Sequence, residues 1–355
     1  KKSYFLYAKS NIGPGENSPA RLTSQGYSNA ERKTEMKLYF APMEGITGYI
    51  YRNAYHSIFH PMDKYFTPFI APKQDKTLNS KERNDILPEH NQGMYVVPQI
   101  LTNRAEDFIR TAKKLAEYGY REVNLNLGCP SGTVVSKKKG AGFLGEREAL
   151  ERFLAEVFEA LDMQISLKTR LGLEEAEEFG PLLEIFNKFR LKELIIHPRV
   201  QTDYYKNKPD WEAFGKAQEL SRNPVAYNGD IFTTEDYLRF SSAFPQTETV
   251  MLGRGILANP GLPGELAGEE RPGKQEIKRF LERLEQDYRE VLSGERDVLF
   301  RMKELWYYLG CLFSNSEKYV KKIRKAQRLC DYEEAVRSLF REQEIAENAG
   351  FRPMG

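Results

Sequence analysis

The sequence is poor in the residues that build disulfide frameworks and structural metal sites. Three of its 355 residues are cysteines and four are histidines. The cysteines are scattered along the chain, at Cys129, Cys311 and Cys330. They are too few for a disulfide framework, so we expect a protein of the reducing cytoplasm. No histidine has the spacing to a cysteine that is typical of zinc ligands, and we therefore expect no metal site.

Long apolar runs are also missing. No stretch of about 18 apolar residues occurs, so the sequence predicts no membrane-spanning helix. Residues 1–35 are polar, rich in Gly, Ser, Asn and Pro, and lack the apolar core of a signal peptide. A strand-like run begins just after Met36. We therefore predict that residues 1–35 form a disordered extension and that Met36 is a candidate natural start.

From residue 38 onwards, short apolar runs alternate with longer helical patterns. Runs such as 164–167, 194–196 and 249–252 lack strict polar alternation, as expected for strands that are buried on both faces. Candidate helices lie between the runs, at 104–118, 146–161, 175–189 and 234–244. The eight candidate strands end near Pro42, Phe66, Gln99, Asn126, Lys168, His197, Asn228 and Gly253. This pattern predicts an α/β fold, a (β/α)₈ TIM barrel.

An open, doubly wound sheet is the structural alternative to the barrel. Such a sheet places a glycine-rich turn after its first strand, and residues 42–45 do not have that pattern. We assign the barrel to residues 36–260 and a Gly/Pro/Glu-rich linker to residues 261–273. Residues 274–348 have a helical pattern throughout, which predicts a small all-helical C-terminal domain.

Polar residues recur at the predicted carboxyl ends of the strands. Those ends meet on one rim of a parallel barrel, so the polar side chains are expected to face a shared pocket. Cys129 could fill an apolar gap or act as a general acid. Lys168 could extend to solvent or meet a ligand oxygen or anion. His197 could be a core histidine or could bond a ligand. Their common position on the rim favours the functional alternative for each.

Glycine-containing turns follow the last two predicted strands, at residues 228–230 and 253–255. Either turn alone could be purely structural. Barrels often bind phosphate at this place through backbone N–H groups, and Arg254 would add a charge-assisted contact. The pair therefore favours a cofactor that carries phosphate.

The helical region contains a basic segment that the formal net charge of +2 conceals. No acidic residue occurs between positions 318 and 328. On a helix, residues 318, 321, 322, 325 and 328 would share one arc, with Val320, Ile323 and Ala326 on the opposite side. Such a stripe could be an ordinary solvated face or a surface for the phosphates of a nucleic acid. Residues 137–139 add positive charge beyond Cys129.

Taken together, these segments resemble the tRNA-dihydrouridine synthases, the flavin enzymes that reduce uridine in tRNA. The resemblance extends from Leu38 to about Val336. It is carried by residues 41–45, 124–130 followed by 139–142, 168–172, and 228–230 with 253–255. In the helical region it is carried by 301–303 ahead of 306–308.

The resemblance implies FMN on the rim of the barrel, with NADPH or NADH as the electron donor. Lys168 would stabilise negative charge on the reduced ring. Hydride would pass from the flavin to uracil C6, and Cys129 would protonate C5. The implied cofactor-binding residues are Pro42, Met43, Glu44, Gln99, Asn126, Lys168, His197, Asn228, Gly229, Asp230, Gly253 and Arg254.

The resemblance also implies tRNA as the partner, bound by a chain that we expect to be monomeric. The expected RNA-binding residues are Lys139, Arg301, Lys303, Lys318, Lys321, Lys322, Lys325 and Arg328. Two other functions remain open. An FMN barrel oxidoreductase acting on a free small molecule, similar to dihydroorotate or dihydropyrimidine dehydrogenases, would explain the rim but not the basic helical region. An RNA-binding protein without catalysis would not need Cys129 and Lys168.

Overall fold

Short parallel strands surround a common axis in the computed structural model, which describes residues 36–73 and 78–353. The strands are β1 (Lys37–Phe40), β2 (Lys64–Phe66), β3 (Val96–Val97), β4 (Gln99–Ile100), β5 (Glu122–Leu127), β6 (Gln164–Thr169), β7 (Leu194–Ile196), β8 (Val225–Tyr227) and β9 (Thr249–Leu252). Their order in the sheet is β3-β2-β1-β9-β8-β7-β6-β5-β4. All neighbouring pairs are parallel.

Pro98 explains why nine strands form an eight-stranded barrel. It separates β3 from β4 because proline has no N–H to give to the ladder, although its carbonyl still accepts from Asn124 N at 2.9 Å. The two ends of the sheet order are thus consecutive pieces of one barrel strand, and the sheet is closed. The predicted (β/α)₈ barrel is confirmed. Each predicted strand end lies within two residues of an observed one.

Helices follow most of the strands. They are α1 (Tyr49–Ile58), α2 (Ser80–Ile86), α3 (Ala105–Glu117), α4 (Gly132–Val135), α5 (Arg147–Ala160), α6 (Phe179–Phe186), α7 (Trp211–Leu220), α8 (Thr234–Ala243), α9 (Arg254–Ala258) and α10 (Leu262–Leu266). The α3 helix buries Phe108, Ala112 and Leu115 on one face, which is the 3.6-residue period of its sequence. It ends at Glu117, and Gly119 follows the C-cap residue Tyr118 with a φ of 92°, which suits glycine.

Alternate positions along the strands separate two layers of side chains. The inward-facing cluster within the barrel consists of Tyr39, Ala41, Phe66, Val97, Ile195, Ala226 and Met251. Their neighbours in sequence, such as Phe40, Ile196 and Leu252, belong to the larger core between the strands and the helices. This alternation explains why both faces are apolar in strands such as β1, β7 and β9.

Four helices make up the C-terminal helical domain: α11 (Lys274–Val291), α12 (Glu295–Leu309), α13 (Glu317–Lys325) and α14 (Leu329–Glu342). Within it, Trp306 Nε1 donates to the Tyr332 hydroxyl at 3.1 Å. Phe280 of α11 packs edge-on against Tyr51 and Phe59 of the barrel, with ring centroids 5.4 and 5.1 Å apart. The domain is therefore attached to α1 through an aromatic contact.

The predicted linker at 261–273 contains α10, and its Arg271 is bonded to Glu265 at 2.7 Å. The extension predicted for residues 1–35 lies outside the described residues, and its prediction is not tested. Across 36–73 and 78–353, no helix is both long enough and apolar enough to cross a membrane.

Candidate active site

The Cys129 loop is fixed by the last polar residue of β5. The side-chain oxygen of Asn126 accepts the backbone N–H groups of Gly128 at 3.0 Å and Cys129 at 2.9 Å. The segment after Lys139 packs directly on this loop. Gly140 has a φ of 55°, and a Cβ at that position would lie 2.9 Å from the Cys129 carbonyl oxygen. A glycine is needed there on both counts.

Cys129 is partly buried, and burial raises the pKa of its thiol. A bond from the Ser131 backbone and the positive charges of Arg170 and Lys168 oppose this rise without cancelling it. The sulfur therefore keeps its proton at neutral pH. A protonated thiol at the mouth of a barrel suits a general acid better than a nucleophile.

Lys168 lies across the β5–β6 ladder from Asn126. Burial, and then the charge of Arg170, lowers the pKa of its ammonium to about 7. In the part of the chain that the structure describes, no acceptor lies within hydrogen-bond distance of its Nζ. A partly buried cation of this kind requires an anion or an oxygen from a ligand. The residues present therefore fit a flavin, whose ring edge carries such oxygens.

Gln99 is fully buried, and its neighbours fix the orientation of its amide. The Gln99 oxygen accepts from Asn126 Nδ2 at 2.7 Å, and Gln99 Nε2 donates to Asn124 Oδ1 at 2.8 Å. Asn126 cannot flip, because its own oxygen accepts two backbone N–H groups. The bond to Asn124 uses one of the two N–H groups on Gln99 Nε2.

The same chain of hydrogen bonds continues through the barrel interior. Asn124 Nδ2 donates to Ser166 Oγ at 2.9 Å, and Ser166 donates to Glu122 at 3.1 Å. Glu122 is paired with Lys64 at 3.0 Å, and Lys64 also bonds Glu193 at 2.8 Å. The direction of every hydrogen bond in this chain is thus fixed. Backbone N–H groups fix it at the Asn126 end, and the carboxylate of Glu122 fixes it at the other end. This gives the amides a single satisfied arrangement.

Sequence reasoning missed the interior members of this chain, Glu122, Asn124 and Ser166. The signal available was the alternation of polar residues 122, 124 and 126 with apolar ones along a strand of a closed barrel. Polar residues with that period point into the barrel.

Two arginines share one carboxylate on the part of the rim formed by the ends of β7, β8 and β9. Asp230 accepts from Arg199 NH1 at 2.9 Å and from Arg254 NH2 at 2.5 Å. Arg199 NH1 also lies 2.8 Å from Nε2 of His197. Burial, and then the surrounding cations, lowers the pKa of His197 well below its usual value, so the ring is neutral. Since Nε2 faces a donor, the His197 proton is assigned to Nδ1.

Arg170 is a second buried arginine that sequence reasoning did not select as a site residue. Its Nε donates to the Gly128 carbonyl at 3.0 Å, and its NH2 group donates to the Tyr204 carbonyl at 2.7 Å. It thereby connects the Cys129 loop to the loop after β7. The signal was its position two residues after Lys168.

The other predicted cofactor residues lie on the same rim but differ in what they contact. Asn228 Nδ2 bonds the Met251 carbonyl at 2.8 Å, which ties β8 to β9. Gly229 has no room for a side chain, because a Cβ would collide with the Tyr227 hydroxyl. A Cβ on Gly253 would lie 3.4 Å from the Ala41 Cβ and 3.9 Å from the Met43 Sδ. Pro42 lies between these two residues, just after β1. Glu44 is exposed and paired with Lys81 at 2.8 Å.

The predicted RNA-binding residues are not equivalent. Arg301 NH1 donates to the Gly45 carbonyl at 2.8 Å, and Lys303 Nζ donates to the Ala326 carbonyl at 2.7 Å. Arg301 therefore ties the helical domain to the barrel loop after β1, and Lys303 ties α12 to the end of α13. The single helix expected over 318–328 is wrong, because α13 ends at Lys325. Arg328 is instead the N-cap of α14 and pairs with Asp331 at 2.7 Å.

Four lysines of the predicted stripe do lie exposed on α13, with Val320 and Ile323 buried behind them as expected. These four are Lys318, Lys321, Lys322 and Lys325. Lys139 lies partly buried beside the Cys129 loop. Within the described ranges, no group of three or more His, Cys, Asp or Glu side chains is arranged to hold a metal ion.

Comparisons with known proteins found similar sequences and a similar structure. A tRNA-dihydrouridine(16) synthase of Pseudomonas putida is 29% identical over 240 residues, which are 65% of this chain and 73% of that protein. A probable tRNA-dihydrouridine synthase of Staphylococcus aureus is 28% identical over 298 residues, 81% of this chain and 85% of that protein. Morphinone reductase in complex with tetrahydroNAD superposes with a TM-score of 0.47 at 13% identity, covering 69% of this chain and 90% of that one.

The family model for dihydrouridine synthases (Dus) matches residues 39–349. This span contains the barrel rim from Pro42 to Arg254 and the four helices of the C-terminal domain, α11 to α14. The chain therefore belongs to the dihydrouridine synthase family.

Proposed function

We propose that this protein reduces uridine in tRNA to 5,6-dihydrouridine, using FMN that NADPH or NADH reduces before each turnover. Two groups on the same rim of the barrel carry the proposal. One is Lys168, a cation without an acceptor among the described residues, and the other is the protonated thiol of Cys129. When bound, FMN supplies the hydride for uracil C6. The chain must then supply a place for the flavin and a proton for C5.

Several groups of the rim are suited to hold the flavin. Gln99 offers one N–H, and Lys168 offers its ammonium to an oxygen of the ring edge. His197 offers Nδ1–H from the neighbouring strand. Gly253 and Arg254 lie at the start of α9, where backbone N–H groups and positive charge favour a phosphate.

Cys129 holds the proton that the reaction needs. Its raised pKa keeps the sulfur protonated, and Asn126 fixes the loop that carries it. Each turnover leaves a thiolate that must regain a proton before the next. Arg170, bonded to Gly128, and Lys168 lie close enough to lower the cost of that transient charge.

A uracil within a folded tRNA must leave its stack to reach such a mouth. The exposed lysines of α13 provide positive charge on a domain attached to the barrel, which suits recognition of RNA by its shape and phosphates. This feature separates the proposal from an FMN oxidoreductase that acts on a free small molecule. Residence in the cytoplasm and a monomeric state remain predictions.

The direct test is to purify the full chain and assay it on unmodified tRNA. We expect a yellow protein that binds FMN and forms dihydrouridine when NADPH or NADH is added. Free uridine and dihydroorotate serve as the comparison substrates. Turnover of a free pyrimidine with none on tRNA would contradict the proposal. Mapping dihydrouridines in tRNA from cells with and without the gene would then identify the position modified.

Charge reversal on α13 tests the RNA-binding surface separately from the chemistry. We expect the triple variant Lys321→Glu, Lys322→Glu and Lys325→Glu to weaken tRNA binding at least about tenfold and to flatten its dependence on salt. Slow NADPH oxidation without tRNA should be unchanged. Affinity can be measured by filter binding over a range of salt concentrations.

Lys278 on α11 provides the matched control for this charge reversal. It is also an exposed lysine of the helical domain, but it lies on a different helix and pairs with Glu282 at 3.6 Å. Lys278→Glu should leave tRNA affinity within about twofold of wild type. If the triple variant also binds tRNA normally, the α13 lysines are an ordinary solvated face.

A further inference from the structure

The side chain of Arg254 is enclosed by aromatic rings from three separate parts of the chain. Its guanidinium carbon lies 4.5 Å from the ring centroid of Tyr205, 5.2 Å from that of Phe232 and 5.1 Å from that of Phe351. Tyr205 and Phe232 belong to barrel loops. Phe351 instead lies in residues 349–353, which follow the last helix. Cations over aromatic faces at these distances are attracted to them, and more strongly where water is excluded.

Residues 349–353 are held firmly against the rest of the protein. Phe351 is buried, and its ring packs on Phe232, Tyr307 and Tyr308 with centroids 5.4, 5.9 and 5.6 Å apart. A Cβ on Gly350 would lie 3.0 Å from the Phe232 carbonyl oxygen, so the backbone passes close to the barrel.

A buried cysteine secures the same segment from the other side. The Cys311 thiol donates to the Arg352 carbonyl at 3.1 Å and accepts the Arg352 N–H at 3.4 Å. The family match ends at residue 349, so Phe351 lies beyond the part of the chain that it covers.

The contacts of Arg254 lead from Phe351 into the rim. Arg254 and Arg199 both donate to Asp230, and Arg199 also faces Nε2 of His197. Within this aromatic enclosure the Arg254 side chain is only 13% exposed, and it donates to Asp230. If one of the three rings were missing, water could reach the guanidinium of Arg254. The side chain would then be held less firmly beside the start of α9.

We propose that Phe351 is a positioning residue for the phosphate side of the flavin site, acting through Arg254. This inference rests on the proposed function, because it assumes that the region around Gly253 and Arg254 receives the FMN phosphate. Phe351 itself need not touch the cofactor. Its effect should therefore appear only with ligands that carry the phosphate.

A comparison of FMN with riboflavin tests this directly, since riboflavin lacks the phosphate. We would measure both dissociation constants by flavin fluorescence on the full, flavin-free protein. Phe351→Leu retains an apolar side chain of similar size but removes the aromatic face. We expect it to weaken FMN binding about five- to tenfold, while riboflavin binding stays within about twofold of wild type. Phe351→Tyr should behave as wild type.

Phe340→Leu is the matched control, because Phe340 packs on Phe313 at 5.0 Å within the helical domain. It should change neither constant. Equal weakening of FMN and riboflavin in Phe351→Leu, or no weakening of FMN, would overturn the inference while leaving the proposed function intact. If the wild type bound FMN no better than riboflavin, the phosphate would not be bound near Gly253 and Arg254 as proposed. The inference about Phe351 would then fail as well.

Discussion

Replacing Cys129 with alanine should leave FMN binding intact and lower the rate of dihydrouridine formation by at least about 100-fold. A positioned general acid typically contributes a factor of about 10² to 10⁴ to a rate. Alanine removes the proton donor but keeps the loop, since Asn126 bonds the backbone N–H at this position and not the sulfur. The measurement is single-turnover formation of dihydrouridine in tRNA with pre-reduced enzyme. Flavin binding is measured from the visible spectrum.

Two further variants separate the acid role from packing. Cys129→Ser replaces the thiol by a hydroxyl of similar shape but of much higher pKa, so it should also be slow. Cys330→Ala removes an exposed cysteine of α14 and should have wild-type activity. A Cys129→Ala enzyme with full activity would show that C5 receives its proton from another group.

The position of several site residues could be predicted, because in a parallel barrel the residues that follow each strand all lie on the same rim. Cys129, Lys168 and His197 are far apart in the chain, yet each closely follows a recognisable apolar run. The closed sheet brings the ends of those runs to one rim. No knowledge of helix packing is needed for that step, which explains why it succeeded.

The features that could not be predicted depend on pairing between side chains. Asp230 was predicted to contact the cofactor, and that prediction is not tested. The structure shows that it accepts from Arg199 and Arg254, and no pattern in the sequence indicates these two partners. The end of α13 at Lys325 is set by tertiary contacts as well, including the bond from Lys303 to the Ala326 carbonyl. Basic residues on their own are compatible with either helix length.

The flavin affinity of the wild type should fall as the pH rises from about 7 to 9. The pKa of Lys168 is about 7 in the unliganded protein, so its ammonium loses its proton through this range. A ligand oxygen that accepts from the ammonium favours the charged form and raises that pKa. Binding must then take up a proton, and affinity should fall by up to about tenfold per pH unit. Riboflavin is the ligand of choice, because it lacks a titrating phosphate.

Lys168→Met should remove this pH dependence and weaken flavin binding at pH 7. Lys216→Met, at an exposed site on α7, should keep the pH dependence and the affinity of the wild type.

A second measurement on Lys168→Met needs no flavin. Burial lowers the pKa of Lys168, so its charged form costs free energy in the folded state, fully at pH below 7 and decreasingly as the pH rises towards 10.5. The flavin-free methionine variant should therefore melt at a higher temperature than the wild type at pH 6. A variant that binds flavin less well yet is more stable without it would show that Lys168 is kept for its ligand. A lower melting temperature would instead assign Lys168 a structural role in the barrel.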